Sequence, residues 1–197
     1  MRSQVTSVAA ATATARAAEV KVDLRAPRNG DRVGRGGFGW LIDLAVRFDV
    51  PIEQTGLTGL QLTGPGVHAS APPLPGTFSI GADDRFRGLI VLVQTTAPGA
   101  RSCQNIANLF NVTGISDATE RSTEILDTWI VGAPNFGRDV HTTAWVAIAA
   151  DRDGNGVYDD APDVVPDSDG DGTCDERDLR AFGVASNVAR AEFFVNP

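Results

Sequence analysis

Residues 151–178, DRDGNGVYDDAPDVVPDSDGDGTCDERD, constrain this chain more than any other stretch. Ten Asp and one Glu stand there against Arg152 and Arg177, a net charge of −9. The whole chain of 197 residues carries −8, which leaves +1 for everything outside the stretch. The acidity is therefore local, not a coat spread for solubility. A run of like charge is ordinarily a disordered or solvated segment. Here the acids alternate with Gly and Asn, a spacing that lets several carboxylates converge on one point. Converging carboxylates repel one another unless a cation neutralises them.

The second half of the stretch shows the spacing most fully. Asp167, Asp169 and Asp171 occupy positions 1, 3 and 5 of a twelve-residue loop, with Gly172 at 6, Thr173 at 7, Asp175 at 9 and Asp178 at 12. Calcium is a hard cation that takes oxygen ligands at these positions, the seventh through a backbone carbonyl, and the loop needs a glycine at its sharp turn. Asp at position 12 replaces the usual Glu, and its shorter arm weakens or reshapes the closing contact. In the first half Asp151, Asp153 and Asn155 stand at 1, 3 and 5, Gly156 at 6, Val157 at 7 and Asp159 at 9. Its position 12 is Pro162, which offers no side-chain ligand, so Asp160, Asp163 or a ligand shared with the neighbouring loop must close that shell. The bland alternative for either loop is an Asp/Gly-rich turn that binds nothing.

DSDGDGTCDERDLRAF resembles one half of a dockerin repeat, in which a calcium loop ends in Asp-Leu and runs into a short helix; here these are Asp178 and Leu179, with Phe182 one turn on. The pair DRDGNGVYDD and DSDGDGTCD is similar to thrombospondin type 3 and related bacterial calcium repeats, and both loops are EF-hand-like. The resemblance covers residues 151–182 and implies Ca2+ as the cofactor without implying a partner. A dockerin has two loop–helix units. The first loop here runs into APDVVPD, where Pro162 and Pro166 interrupt any helix, so cohesin binding is not implied.

The rest of the chain is long enough for one well-filled domain. Residues 1–18, MRSQVTSVAAATATARAA, are small and weakly apolar and read as a flexible leader or a signal remnant outside the core. From residue 19 onward, Val20, Val22 and Leu24 alternate with Lys21, Asp23 and Arg25, the pattern of a half-buried strand, and Pro27 with Asn29-Gly30 makes the following turn. VDLRAPRNGDRV is similar to the first strand and turn of bacterial immunoglobulin-like modules. Gly34, Gly36 and Gly39 fit GxGxxG, but Trp40, Ile42, Leu44, Val46 and Phe48 follow with period two; a strand follows where a dinucleotide site needs a helix. Further strands are expected at 57–62, 77–80, 88–96, 124–131, 142–149 and 189–195, the apolar run 88–96 being read as a central one. Segments 103–111 and 117–125 are ambiguous between strand and a short helix in one of them. The chain has 21 Gly and 11 Pro, which favour many turns and short strands, and these strands predict an antiparallel β-sandwich of immunoglobulin-like type over residues 19–197, with residues 151–182 as a calcium-binding insertion between two late strands.

Cys103 and Cys174, the latter inside the second loop, are expected to form a disulfide in a secreted protein. That bridge would staple the metal loop to the sandwich and, by loop-closure entropy, contribute about 4 kcal/mol. Free thiols in a cytosolic protein are the other possibility. No apolar run of about 18 residues is long enough to span a membrane. A near-neutral body offers no basic patch for nucleic acid.

Catalysis finds no visible machinery in the sequence. His68 and His141 lack metal-spaced neighbours, and no GxSxG elbow occurs. Trp40, Trp129 and Trp145 could line a glycan platform, but each lies in an alternating strand and reads as core. Asn111-Val112-Thr113 matches a glycosylation sequon. The expectation is a bacterial, secreted or cell-surface, non-catalytic structural or adhesive module stabilised by calcium, whose partner is another surface protein or a glycan. The alternative is a carbohydrate-binding or docking accessory module of a secreted hydrolase system.

Overall fold

A computed structural model describes residues 19–34, 40–56, 86–97, 101–108, 114–116, 121–131 and 138–196. The leader, the expected strands at 57–62 and 77–80, Gly36, Gly39, His68 and the sequon lie outside the described residues. Two four-stranded sheets pack face to face. The first is ordered β1-β3-β6-β5, from β1 (Val20–Ala26), β3 (Trp40–Phe48), β6 (Thr123–Val131) and β5 (Gly114–Ser116). The second is ordered β2-β8-β7-β4, from β2 (Arg32–Val33), β8 (Ala189–Val195), β7 (Val140–Ile148) and β4 (Leu89–Thr95).

Period-two patterning builds the core. Trp40, Ile42, Leu44, Val46 and Phe48 point inward from β3, which pairs with β6 without a break from Trp40↔Val131 to Phe48↔Thr123. Val20 and Val22 join from β1, Val146 and Ile148 from β7, and Ala191, Phe193 and Val195 from β8. The Trp40 ring meets Phe193 across the sheets at 4.8 Å. Alternation then assigns the other face of the second sheet. Ile90, Leu92, Trp145, Ala147 and Ala149 lie opposite that core and pack under Val165, Cys174 and Leu179 of the acidic stretch. The fold is thus a mostly β sandwich whose second sheet carries an outer layer made by residues 151–182, and that segment runs between β7 and β8.

Two expectations need correcting. The apolar run at 88–96 forms β4, which ends the strand order of its sheet among the described residues. Its continuous apolarity reflects two covered faces, not a central place: Leu89 and Val91 face the sandwich core, Ile90 and Leu92 the outer layer. The sandwich is not wholly antiparallel either, because β2 runs parallel to β8. A two-residue strand inside a turn has no periodicity to read. It forms through distant bonds, Gly30 N–H to Glu192 C=O at 2.7 Å and Asn196 N–H to Val33 C=O at 2.9 Å. The described parts of the ambiguous segments hold a 3₁₀ turn at Ile106–Asn108 and the start of β6 at Thr123, and the short strand β5 lies between the two segments.

Asparagine amides cover both ends of the sandwich. Asn187 accepts from Val22 N–H and donates to Val22 C=O, both at 2.9 Å, along the outer edge of β1. Asn105, 1 % exposed, does the same work on β4, accepting from Val91 N–H at 2.9 Å and donating to Leu89 C=O at 3.0 Å.

Candidate metal centre

The two acidic loops fold into the same hydrogen-bond frame. In each, the position-1 carboxylate accepts from the N–H groups of positions 4 and 6: Asp151 from Gly154 and Gly156, Asp167 from Gly170 and Gly172, at 2.7–2.8 Å. The position-3 carboxylate accepts from the N–H of position 5, Asp153 from Asn155 and Asp169 from Asp171. The position-5 side chain accepts from the N–H of position 7, Asn155 from Val157 and Asp171 from Thr173, both at 2.7 Å. Gly156 and Gly172 have φ of +83° and +86°, and a Cβ at either would meet nothing within 4 Å. Glycine is needed there for the left-handed backbone and not for space.

This frame brings carboxylate oxygens together. Asp151, Asp153 and Asp160 each place one within 4.8 Å of the others, and so do Asp167, Asp169 and Asp171. Asp159, expected as a ligand, does not belong to the first cluster, where Asp160 stands instead. Asp160 accepts from the N–H groups of Arg152 and Asp153. In the second loop Asp178 accepts from Ser168 N–H and Ser168 Oγ, both at 2.7 Å. Arg152 and Ser168 both hold position 2, so Asp160 closes the first loop as Asp178 closes the second. The helix explains the different offset. Helix α1 (Glu176–Phe182) follows the second loop directly, with Asp175 as N-cap and Asp178 completing a capping box by accepting from Asp175 N–H at 2.9 Å. The first loop has no helix to carry a closing acid, and the residue that takes the role comes two places earlier.

Burial pushes the Asp178 carboxyl toward a higher pKa, but the hydrogen bonds from Asp175 and Ser168 outweigh it and hold the group below its ordinary value. Asp171 is also held low, first by the Thr173 hydroxyl and then by the Thr173 N–H. Both acids are thereby kept charged, the form a cation needs. The donor set is all oxygen, which suits a hard cation and excludes the sulfur and imidazole ligands preferred by zinc or copper. Arg177 holds Asp169 at 3.2 Å from the exposed side of the second loop.

Both loops are anchored in the sandwich. Cys103 and Cys174 form a disulfide, with Cα atoms 4.8 Å apart, and Cys174 is 1 % exposed. Cys174 N–H also donates to Ser102 Oγ at 2.9 Å. The first loop is held by Tyr158, whose ring lies 5.3 Å from Phe48 in the main core. Arg152 stacks its guanidinium 4.4 Å above Phe182 and donates to the Phe182 carbonyl at 3.0 Å, tying the first loop to the end of α1. Sequence reasoning missed Tyr158, Asn105 and Arg152. The one available signal was that Tyr158 is the sole Tyr of the chain and sits in an otherwise polar run.

Trp40 and Trp145 are core residues at 3 % and 5 % exposure, while the side chain of Trp129 lies outside the described residues. His141 packs edge-on against Phe194. No helix among the described residues is long and apolar enough to cross a membrane. No protein-family model and no curated protein matches this chain. The case for a metal therefore rests on the loops themselves.

Proposed function

We propose that this chain is a calcium-stabilised, non-catalytic structural or adhesive module of a secreted or cell-surface protein. The observation that carries this reading is the shared frame of the two loops, in which position 1 binds positions 4 and 6 and a closing acid binds position 2. Calcium would neutralise acids that the frame has already gathered, so its binding free energy becomes folding free energy of the outer layer. Val165, Cys174 and Leu179 then stay seated on the second sheet. The disulfide supports an oxidising compartment, where such bridges persist. Burial of Trp40 and Trp145 removes two of the three aromatics that a glycan-binding accessory module could have offered, which favours the structural reading over it.

Thermal melting with calcium and with chelator tests the proposal. A hundredfold excess of calcium over Kd contributes about 2.7 kcal/mol per site, a rise in Tm of roughly 5–10 °C for a chain of this size. An unchanged Tm, with no heat of calcium binding, would refute it.

A further inference from the structure

Position 8 is where each loop meets the sandwich. Counted from Asp151 and Asp167, it is Tyr158 in the first loop and Cys174 in the second, and of positions 1–9 in each loop it alone is buried. The two anchors differ in kind. Tyr158 is held by packing. Its ring lies 5.3 Å from Phe48, and its carbonyl fits so closely against the Gly56 and Gly88 backbones that a Cβ at these positions would stand 2.9 Å and 2.0 Å from its oxygen. Cys174 is held by a covalent bond, the disulfide to Cys103.

The disulfide fixes the ligand-bearing part of the second loop. Cys174 stands between Thr173 and Asp175, positions 7 and 9 of the ligand pattern. Cys103 is 71 residues away in sequence, and its C=O accepts from Val165 N–H at 2.8 Å, just before the loop begins. Without the bridge, the hold at position 8 falls to one hydrogen bond, Cys174 N–H to Ser102 Oγ at 2.9 Å, and the burial of a small side chain. Helix α1 is secured separately, because Leu179 is fully buried and Arg152 stacks on Phe182. Loss of the bridge therefore loosens positions 7 to 9 of the second loop and leaves the first loop on its own anchor.

We propose that the Cys103–Cys174 disulfide is a redox gate on the second cation site alone: with the bridge closed the second loop is preorganised for calcium, and with the bridge reduced that site weakens while the first is unchanged. The gate rests on the calcium reading given under the proposed function. A loop already held in its binding shape loses less conformational entropy when the cation arrives. A freed loop must be ordered at each binding event, against the mutual repulsion of Asp167, Asp169 and Asp171. Linkage makes the effect reciprocal, so calcium in the second loop makes the disulfide harder to reduce by the same factor. The chemistry balances with an added dithiol: two electrons and two protons pass to Cys103 and Cys174, and the reductant closes to a cyclic disulfide. Oxidation thus comes before metal loading at the second loop, whereas the first loop, seated on Tyr158, loads in either state.

Calcium titration of the oxidised and dithiothreitol-reduced protein tests it, in variants that each leave one loop intact. Asp151→Asn reports the second loop and Asp167→Asn the first. Reduction is expected to lower calcium affinity on the order of tenfold in Asp151→Asn and to leave it unchanged in Asp167→Asn. Cys103→Ser with Cys174→Ser, added to Asp151→Asn, reproduces the weakened site without reductant. If the serine variant loses its fold, the native bridge is followed instead, in buffers of graded reduced-to-oxidised dithiothreitol ratio. Saturating calcium is expected to raise the ratio needed for half-reduction about tenfold in Asp151→Asn and to leave it in place in Asp167→Asn. Equal calcium affinity in oxidised and reduced Asp151→Asn overturns the proposal. So does a loss of the same size at both loops, or a half-reduction ratio in Asp151→Asn that calcium does not move. Oxidised wild-type protein that takes up no calcium overturns the calcium reading beneath the gate, and the gate with it.

Discussion

Replacing Asn105 by Ala tests how far the outer layer and β4 depend on one amide. The side chain makes four hydrogen bonds: it accepts from Val91 N–H and Ala107 N–H, and donates to Leu89 C=O and Pro162 C=O. Three of these are fully buried. Alanine cannot replace any of them, and the partners lie where water does not reach without opening the structure. At about 1–1.5 kcal/mol for each buried group left without a partner, the loss is about 4 kcal/mol. A domain of this size then melts roughly 10 °C lower. Asn187→Ala is the control, because its amide covers the other end of the sandwich with only two bonds, both half-buried. Water fills that gap, and the expected loss is about 1 kcal/mol. Urea unfolding of the three proteins, followed by near-ultraviolet circular dichroism, measures the difference. A loss for Asn105→Ala no larger than for Asn187→Ala would refute the claim that this amide ties β4 to the outer layer.

Further tests reach the loops and their anchors. Asp160→Asn is expected to weaken calcium binding by on the order of tenfold while Asp159→Asn leaves it nearly unchanged, because only Asp160 lies with Asp151 and Asp153; isothermal titration separates them. In Gly88→Ala the new Cβ would lie 2.0 Å from the Tyr158 carbonyl oxygen, so the first loop must shift, at a cost of about 2–3 kcal/mol read by chemical unfolding. The chain has one Tyr, so tyrosinate absorbance reports Tyr158 alone. Burial, then Asp49 and Asp151, raise its pKa, so in chelated protein the phenol is expected to titrate above the ordinary value of about 10. The stability linked to it is complete below that value and is lost as pH rises through the folded one; a phenol titrating at or below it contradicts the placement.

The strands were legible where one face is wet and the other dry. Val20, Val22 and the run from Trp40 to Phe48 alternate cleanly, and they form β1 and β3 as expected. β4 was legible as a strand and misplaced in its sheet, because an apolar run records burial on both faces without recording what covers each. β2 was invisible, since two residues hold no period and their pairing comes from β8, more than 150 residues away. At the loops, positions 1, 3 and 5 were legible because a local turn puts them together. The closing acid of the first loop was legible only as a choice among Asp160, Asp163 and a shared ligand, because Asp160 is placed by the path of the chain after the turn and not by a fixed count from Asp151. The disulfide was legible from compartment logic and the presence of only two cysteines.

The length of the connection between β7 and β8 ties these findings together. The two strands are antiparallel neighbours, paired from Val140↔Val195 to Val146↔Ala189, and a turn of two residues would join them. The chain instead runs through 40 residues between Ile148 and Ala189. In those residues the apolar side chains of Tyr158, Val165, Cys174 and Leu179 turn inward, and most of the acids stay at the surface. A segment with so little apolar content is poorly suited to hold itself against a sheet by burial alone, and its like charges oppose compaction. A cation gathered by the two loops would remove the repulsion, and the disulfide with Cys103 removes part of the entropy cost. Both constraints act on the same layer, which covers Ile90, Leu92 and Trp145. The acidic stretch is thus a structural wall of the second sheet, which the disulfide holds in place and which a cation, under the proposed function, would hold as well.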